Sequence, residues 1–440
     1  VLRRCCLWTS RARGNAWKPA GAGAAQGEGE TVWPALRRAL ICLLIFPVLS
    51  LLFGGEVRAQ PDSYIRHGVC DGFPRVDLRT SEGLCVGLVA SGINFPRGVA
   101  VKGSTIYIAD MGGWHHDRGR LLAFDQNGHG QEKDVLTGLD RPDGLALAAD
   151  GQLYIGLPGH ILRVLLRQDG TATGTQEVMT GLPLTGRNVL TALAADPGGG
   201  LYLSAGSATN NCESGSGKAP DASRRCPELN AKIPRASILW FRPGETVHHA
   251  GRGDVVATGL RNPMALTVMP DGVLLAAVNS RDSIDSIDPE LSDDDLPHDT
   301  FHIIRKGRDY GWPYCFDNDR PAPEYPDHSC AAVPRPDLLL GPHSAPLGMI
   351  FYDRATLPGL KNRVLMAYHG YRAAGHQVVS LAVDVHGRPQ GEPMPLVRGW
   401  QDLSDSGGPP GSPVGLAVMG DGTVLITDDH NGTLLRLAKE

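Results

Sequence analysis

The 440-residue sequence contains no Cys-x-x-Cys-His, so no covalently attached c-type haem is encoded. No Ser/His/Asp arrangement and no activated cysteine is visible, which leaves nucleophilic catalysis without a candidate. The apolar run from Ala39 to Phe53 falls short of the roughly 20 residues that a membrane helix needs. Positive charge is not in surplus either. Lys+Arg number 42 against 47 Asp+Glu; residues 1–59 hold 8 basic and 3 acidic of these, leaving 34 against 44, or −10, for the rest. That balance argues against nucleic acid as a partner. No Pro/Ser-rich linker divides residues 60–440, a length ample for one large domain.

What is present begins with a leader. Arg37-Arg38 precede the apolar run, and Val57-Arg58-Ala59 offers a small-residue cleavage site. Residues 1–59 therefore read as a leader with a secretory signal peptide cut after Ala59, and the protein as periplasmic or secreted. If uncleaved, the same segment would be a membrane anchor. Residue 1 is Val and the first methionine is Met111, so residues 1–31 are expected to lie outside the native protein. Of nine cysteines, Cys5, Cys6 and Cys42 fall in the leader region. The other six form neighbouring pairs, Cys70 with Cys85, Cys212 with Cys226 and Cys315 with Cys330. Six cysteines allow 15 connectivities, but such short loops favour local closure, which suits an exported protein.

The chain repeats itself. Arg141 to Gly156, RPDGLALAADGQLYIG, is a short strand, an Asp-Gly turn and a return strand. Similar units start at Phe95, Asn188, Asn262, Pro346 and Pro413, with turns such as Asp271-Gly272 and Asp421-Gly422. One such unit cannot bury both faces, so about six copies predict an all-β fold, a six-bladed β-propeller of four-stranded antiparallel blades. A β-sandwich would not repeat the same turn at matching places.

In a four-stranded meander, the loop entering strand 1 and the loop joining strands 2 and 3 share one end. The strand 1–2 hairpins, plain turns here, share the other. The first end is chemically rich. Its strand entries carry Arg97, Arg141, Asp143, Asn188, Arg261, Asn262 and Ser412. Its strand 2–3 loops carry His115 and His116, His160, Asn279 to Asp282, His369 to Arg372, and Asp428 to Asn431. A ligand pocket is expected on this face. The segment Arg281 to Thr300 holds seven aspartates, including Asp294, Asp295 and Asp299. It reads equally as a Ca²⁺ site or as a solvated acidic loop.

Two stretches, Gly259-Leu260-Arg261-Asn262-Pro263 and Lys306-Gly307-Arg308-Asp309-Tyr310-Gly311-Trp312-Pro313, resemble the glucose/sorbosone dehydrogenase family of quinoproteins. His369-Gly370-Tyr371-Arg372 followed by Gly375-His376 is similar to its sorbosone-dehydrogenase-like branch. The resemblance spans roughly residues 85 to 437. It implies a propeller that holds pyrroloquinoline quinone (PQQ) and Ca²⁺ and oxidises an aldose or related sugar aldehyde to a lactone or acid. Electrons would pass to an external acceptor, a cytochrome or the quinone pool. By position, it places Arg261, Asn262, His369 and Arg372 on the cofactor, with Arg97 and Arg141 as further cations of that face. It puts Asp294, Asp295 and Asp299 in the metal region.

Two departures from the family pattern stand out. Where the family places its histidine base, this chain has Asn188, and an amide cannot take a proton near neutral pH. Where the family has an acid after Asp299, this chain has Thr300. Three readings follow: another base serves, with His160, His115, His116 and His369 as candidates; PQQ or sugar binds without turnover; or the protein is a Ca²⁺-dependent lactonase-type hydrolase.

Overall fold

A computed structural model describes residues 63–126, 132–213, 219–400 and 410–440. The leader and its cleavage site lie outside the described residues. The strands form six principal sheets, as the repeats predict. Blade 1 runs Pro96–Lys102, Thr105–Asp110, Gly119–Asp125 and Lys133–Leu139. Blade 2 runs Leu145–Leu147, Leu153–Leu157, His160–Leu166 and Ala172–Thr180. Blade 3 runs Leu193–Ala195, Leu201–Ala205, Ser237–Phe241 and Val255–Ala257. Blade 4 runs Asn262–Val268, Leu274–Asn279, His298–Ile303 and Leu338–Pro342, and blade 5 Pro346–Tyr352, Arg363–Tyr368, Gln377–Ala382 and Met394–Arg398.

Blade 6 closes the ring. Pro413–Val418, Val424–Asp428 and Thr433–Lys439 come from the C-terminal end, and the fourth strand, Leu84–Ser91, comes from before blade 1. Leu434, Leu435 and Leu437, fully buried, pair with Ala90, Leu88 and Val86. Closure thus depends on apolar pairing between segments some 350 residues apart in the sequence. Cys70–Cys85 ties a hairpin, Arg66–Cys70 with Phe73–Val76, to that closing strand. Cys212–Cys226 and Cys315–Cys330 each close a surface excursion, and all three bridges pair neighbours as the spacing predicts. No helix of the described residues is long and apolar enough to cross a membrane.

The first strand of each blade is innermost, touching its counterparts around the axis. Glycines permit this approach. A Cβ on Gly98 would run into the Asp143 carbonyl of the next blade, one on Gly348 into Val414, and one on Gly415 into Arg97. Amides use the proximity: Gly98 N–H donates to Asp143 O at 3.0 Å and Gly144 N–H to Thr191 O at 3.1 Å. The blades are therefore joined by backbone hydrogen bonds at the hub and by apolar contacts further out. Gly348→Ala is expected to cost about 1–3 kcal/mol by overpacking, read as a fall in denaturant midpoint. Gly420→Ala, with open space around it, should change it little. Equal effects would contradict the close approach at the hub.

Candidate functional site

A cleft of 420 Å³ opens at the loop-rich end. Its walls come from the entries to the inner strands of blades 3, 4 and 5 and from the strand 2–3 loops of blades 4 and 5. The six sequence candidates Asn188, Arg261, Asn262, Asp299, His369 and Arg372 all line it. The opposite end carries the Asp-Gly hairpins.

Arg261 is buried, and the protein fixes it from several sides. Nε donates to Asn210 O at 3.0 Å, Nη2 to Asn210 Oδ1 at 2.8 Å and to Asp282 Oδ2 at 3.1 Å, and Nη1 to Asn279 O at 3.3 Å. Burial lowers its pKa from the usual arginine value, and Asp282 opposes this. Beside it, the buried amide oxygens of Asn262 and Asn279 have no hydrogen-bond partner among the described residues. Buried acceptors left unpaired are costly, so these two oxygens invite a donor or a cation. Asn188 is anchored by donating from Nδ2 to Ser207 Oγ at 2.8 Å.

His369 is held differently. Its Nε2–H faces the carboxylate of Asp429, at 3.0 and 3.1 Å from the two oxygens. Asp429 also accepts from Arg97 Nη1 at 2.8 Å, and Arg97 Nε donates to Asp143 at 2.8 Å. The Asp143–Arg97–Asp429 chain is buried. The bond to Asp429 sets the tautomer of His369, leaving the lone pair on Nδ1. Asp429 lies below the usual carboxylate range: burial pushes it up, but His369 and then Arg97 outweigh that.

Several expectations need correction. Arg97 is not on the cleft wall; it is buried between Asp143 and Asp429, behind His369. Arg141 pairs with its neighbour Asp140 at 2.7 Å and does not line the cleft. His160 is also away from it, 3.6 Å from Glu177. Asp294, Asp295 and Asp299 do not converge, and among the described residues no three His, Cys, Asp or Glu side chains are grouped to hold a metal. Asp294 is paired with Arg372, and Asp295 is exposed. Asp299 is buried and accepts from Ser280 N at 2.7 Å, Ala345 N at 2.6 Å and Ser344 Oγ at 3.1 Å, joining the walls contributed by blades 4 and 5. Burial raises its pKa, against those three bonds. Thr300 hydrogen-bonds His302 at 2.9 Å, a histidine that burial pushes down to about 3 and so keeps neutral.

His343 and Arg187 line the wall but had no assigned role in the sequence. His343 sits at the entry to the inner strand of blade 5, a position of the same kind as Asn188 and Arg261 in their blades, and this placement was its only signal. Its Nε2–H donates to Asp293 O at 2.6 Å, and Nδ1 lies 3.6 Å from Asp282. Asp282 gathers Arg187 at 2.7 Å as well as Arg261. His343 is raised above its usual pKa, chiefly by Asp282, with burial opposing and Asp293 adding. Asp282 is held well below the carboxylate range, because His343, Arg261 and Arg187 together outweigh its burial.

A raised histidine stabilises the fold below its unfolded value of about 6.5 and loses that contribution as pH rises through the folded value. A depressed carboxylate stabilises above its unfolded value of about 3.9 and loses that as pH falls. The pair therefore contributes in full between about pH 4 and 6.5. His343→Asn should lower the melting temperature most near pH 5.5, about the middle of that window, and least near pH 9. Equal losses at both pH values, followed by calorimetry, would contradict the charge pair.

The fold and cleft can be compared with known proteins. A calcium structure of the carbohydrate-active enzyme family AA12 protein of Trichoderma reesei superposes with a TM-score of 0.66 at 18% identity, covering 87% of this chain and 100% of that one. The holo PQQ domain of pyranose dehydrogenase from Coprinopsis cinerea gives 0.63 at 18% identity, covering 84% and 99%. The PQQ-bound aldose sugar dehydrogenase of Streptomyces coelicolor gives 0.55 at 18%, covering 82% and 100%. At these identities the likeness is one of fold. A comparison with curated proteins finds no match. The model of the TrAA12-like family, however, matches residues 78–440, all of blades 1 to 6, and the chain belongs to that family.

Proposed function

We propose that the cleft binds PQQ with Ca²⁺ and oxidises an aldose or related sugar aldehyde to a lactone or acid, with an external acceptor taking the electrons. The family match and the PQQ and calcium structures among its neighbours support this reading. The observation that carries it is the wall chemistry. Three guanidinium groups, Arg187, Arg261 and Arg372, share one cleft with the unpartnered oxygens of Asn262 and Asn279.

The residues present fit such a group. PQQ is a flat tricarboxylate, and planar guanidinium groups match carboxylates with paired hydrogen bonds. Arg372, half-exposed and paired with Asp293 and Asp294 at the rim, is free to re-pair. Asp282 and Asp299 on the same walls would repel an anionic cofactor, and a bound divalent cation would offset that. Ca²⁺ accepts carbonyl and amide oxygens as readily as carboxylates, so Asn262 and Asn279 suit it without a three-carboxylate cage. When bound, the quinone supplies the two-electron acceptor for the substrate C–H bond.

The chain's own part is to bind, orient and move a proton. Asn188 cannot serve as base. Of the four histidine candidates, His369 alone lines the cleft. Its Nε2–H is fixed on Asp429, so Nδ1 is the atom that takes the proton of the sugar hydroxyl. Three disulfides suit export to an oxidising compartment.

Reconstitution with PQQ and Ca²⁺ tests this, with quinone absorbance and dye reduction followed over a panel of aldoses. Saturable binding with sugar-dependent bleaching is expected. His369→Gln should retain cofactor binding while kcat falls by about 10²–10⁴. Absence of PQQ binding by the wild type would sink the proposal. Binding without bleaching, restored by Asn188→His, would mean a cofactor-binding protein that lacks a base.

A further inference from the structure

Asp428 and Asp429 are consecutive, both buried, and have separate partners. Asp429 belongs to His369 and Arg97. Asp428 belongs to the N-terminal segment that precedes the propeller. Its Oδ2 accepts from the Tyr64 hydroxyl at 2.5 Å, and that hydroxyl accepts from Trp400 Nε1 at 2.5 Å. Asp428 Oδ1 takes the backbone amides of Ser412, His430 and Asn431 at 2.9, 3.1 and 3.2 Å. Asn431 donates from Nδ2 to Asp428 at 2.8 Å, and its Oδ1 accepts from Ser63 Oγ at 2.8 Å. Tyr64 and Trp400 are both buried. Burial and then Asp428 keep the Tyr64 hydroxyl protonated, so it is a donor across the working pH range.

We propose that Ser63–Tyr64 is a positioning strap for His369: by docking on Asp428 and Asn431 it fixes the Asp428–Asp429 peptide, and through Asp429 it fixes the ring and tautomer of the histidine. The proposal rests on reading His369 as the base. The coupling is mechanical and short. One planar peptide joins the two residues, and Asp428 also holds the Ser412, His430 and Asn431 amides around it, so a shift of the Asp428 backbone is passed to Asp429. Without the Tyr64 hydroxyl, the buried Asp428 Oδ2 keeps only the Asn431 amide among the described residues. Leaving such a group under-satisfied is costly, and the loop relaxes toward water to satisfy it. Arg97 steadies Asp429 from the other side, so a loosened Asp428 expresses itself as rotation of Asp429 rather than its departure.

The test compares Tyr64→Phe with Tyr352→Phe, a buried tyrosine in blade 5 whose hydroxyl donates to Gly422 O at 2.6 Å in the hairpin at the opposite end. Both variants should lower the melting temperature. Only Tyr64→Phe should lower kcat, by about tenfold, with KM unchanged, as expected for a misplaced catalytic group. The second readout needs no cofactor. In the apoprotein, ¹⁵N resonances of His369 should report one Nε2–H tautomer in the wild type and in Tyr352→Phe, and a mixture in Tyr64→Phe. If Tyr64→Phe does not fold, Trp400→Phe removes the donor to the same hydroxyl and should mix the tautomers in the same direction. A wild-type tautomer and kcat in a folded strap variant would overturn the inference. A wild type that neither binds PQQ nor oxidises sugar would fail the functional reading alone, and the tautomer comparison would still decide the strap.

Discussion

Arg97 holds one positive charge between two carboxylates in a place that water scarcely reaches. Burial alone would lower its pKa, yet Asp143 and Asp429 hold it above the usual arginine value. Taking three charges out of water is expensive, and removing one partner of such a set typically costs about 3–5 kcal/mol because the others are left uncompensated. What it contributes is specificity of position. Arg97 opens blade 1, Asp143 opens blade 2, Asp429 follows the second strand of blade 6, and His369 follows the second strand of blade 5. The chain of charges therefore straddles the joint where the ring closes. The Arg97 carbonyl accepts from Thr427 Oγ1 at 2.7 Å, and Thr427 in turn accepts from Gly415 N–H. Charge pairing and hub packing thus meet at the same residue.

The other half of the cleft is balanced by a second set of charges. Arg187 and Arg261 face Asp282, Arg372 faces Asp293 and Asp294, and His343 stands between Asp282 and Asp293. Before any ligand enters, each guanidinium already has a carboxylate. The guanidinium groups differ in freedom: Arg261 is fixed by Asn210 and Asn279 as well, whereas Arg372 is half in solvent, where an ion pair is worth little. A ligand carboxylate can therefore recruit Arg372 at small cost and must accept Arg261 where it stands. Preorganised cations at the base of the cleft and an adaptable one at the rim suit a charged cofactor that is gripped from below and closed over from above.

Much of this was legible in the sequence because propellers repeat. Asp-Gly turns at matching places, at Asp150, Asp271 and Asp421, mark one end of blades 2, 4 and 6, and parity then assigns the other end to the site. That reasoning placed Asn188, Arg261, Asn262, His369 and Arg372 on the loop-rich face; the structure brings them into one cleft. It could not say which way a side chain turns within a loop. Arg97 and Arg141 entered by the same rule, but Arg97 turns inward to two carboxylates and Arg141 to its own neighbour. Asp294, Asp295 and Asp299 were grouped by composition, and irregular backbone scatters their carboxylates. Nor was the closing strand visible. Leu84–Ser91 precedes the first repeat and shares no turn with it, and its partner is at the other end of the chain.

The substitutions at Asn188 and Thr300 make physical sense together with the residues around them. Asn188 donates to Ser207, and its neighbour across the cleft is a histidine already paired to a buried carboxylate. A basic residue at 188 would add a second proton acceptor near three guanidinium groups that disfavour its protonation. At 300, an acid would place a carboxylate beside the buried, neutral ring of His302. Threonine instead satisfies one nitrogen of that ring without adding charge. Neither replacement adds an ionisable group, and on the proposed reading proton transfer falls to His369, whose ring is oriented by Asp429. On the proposed reading the base is carried by blade 5, its orienting acid by blade 6, and the cation that steadies that acid by blade 1, so the three residues come together only when the ring is closed.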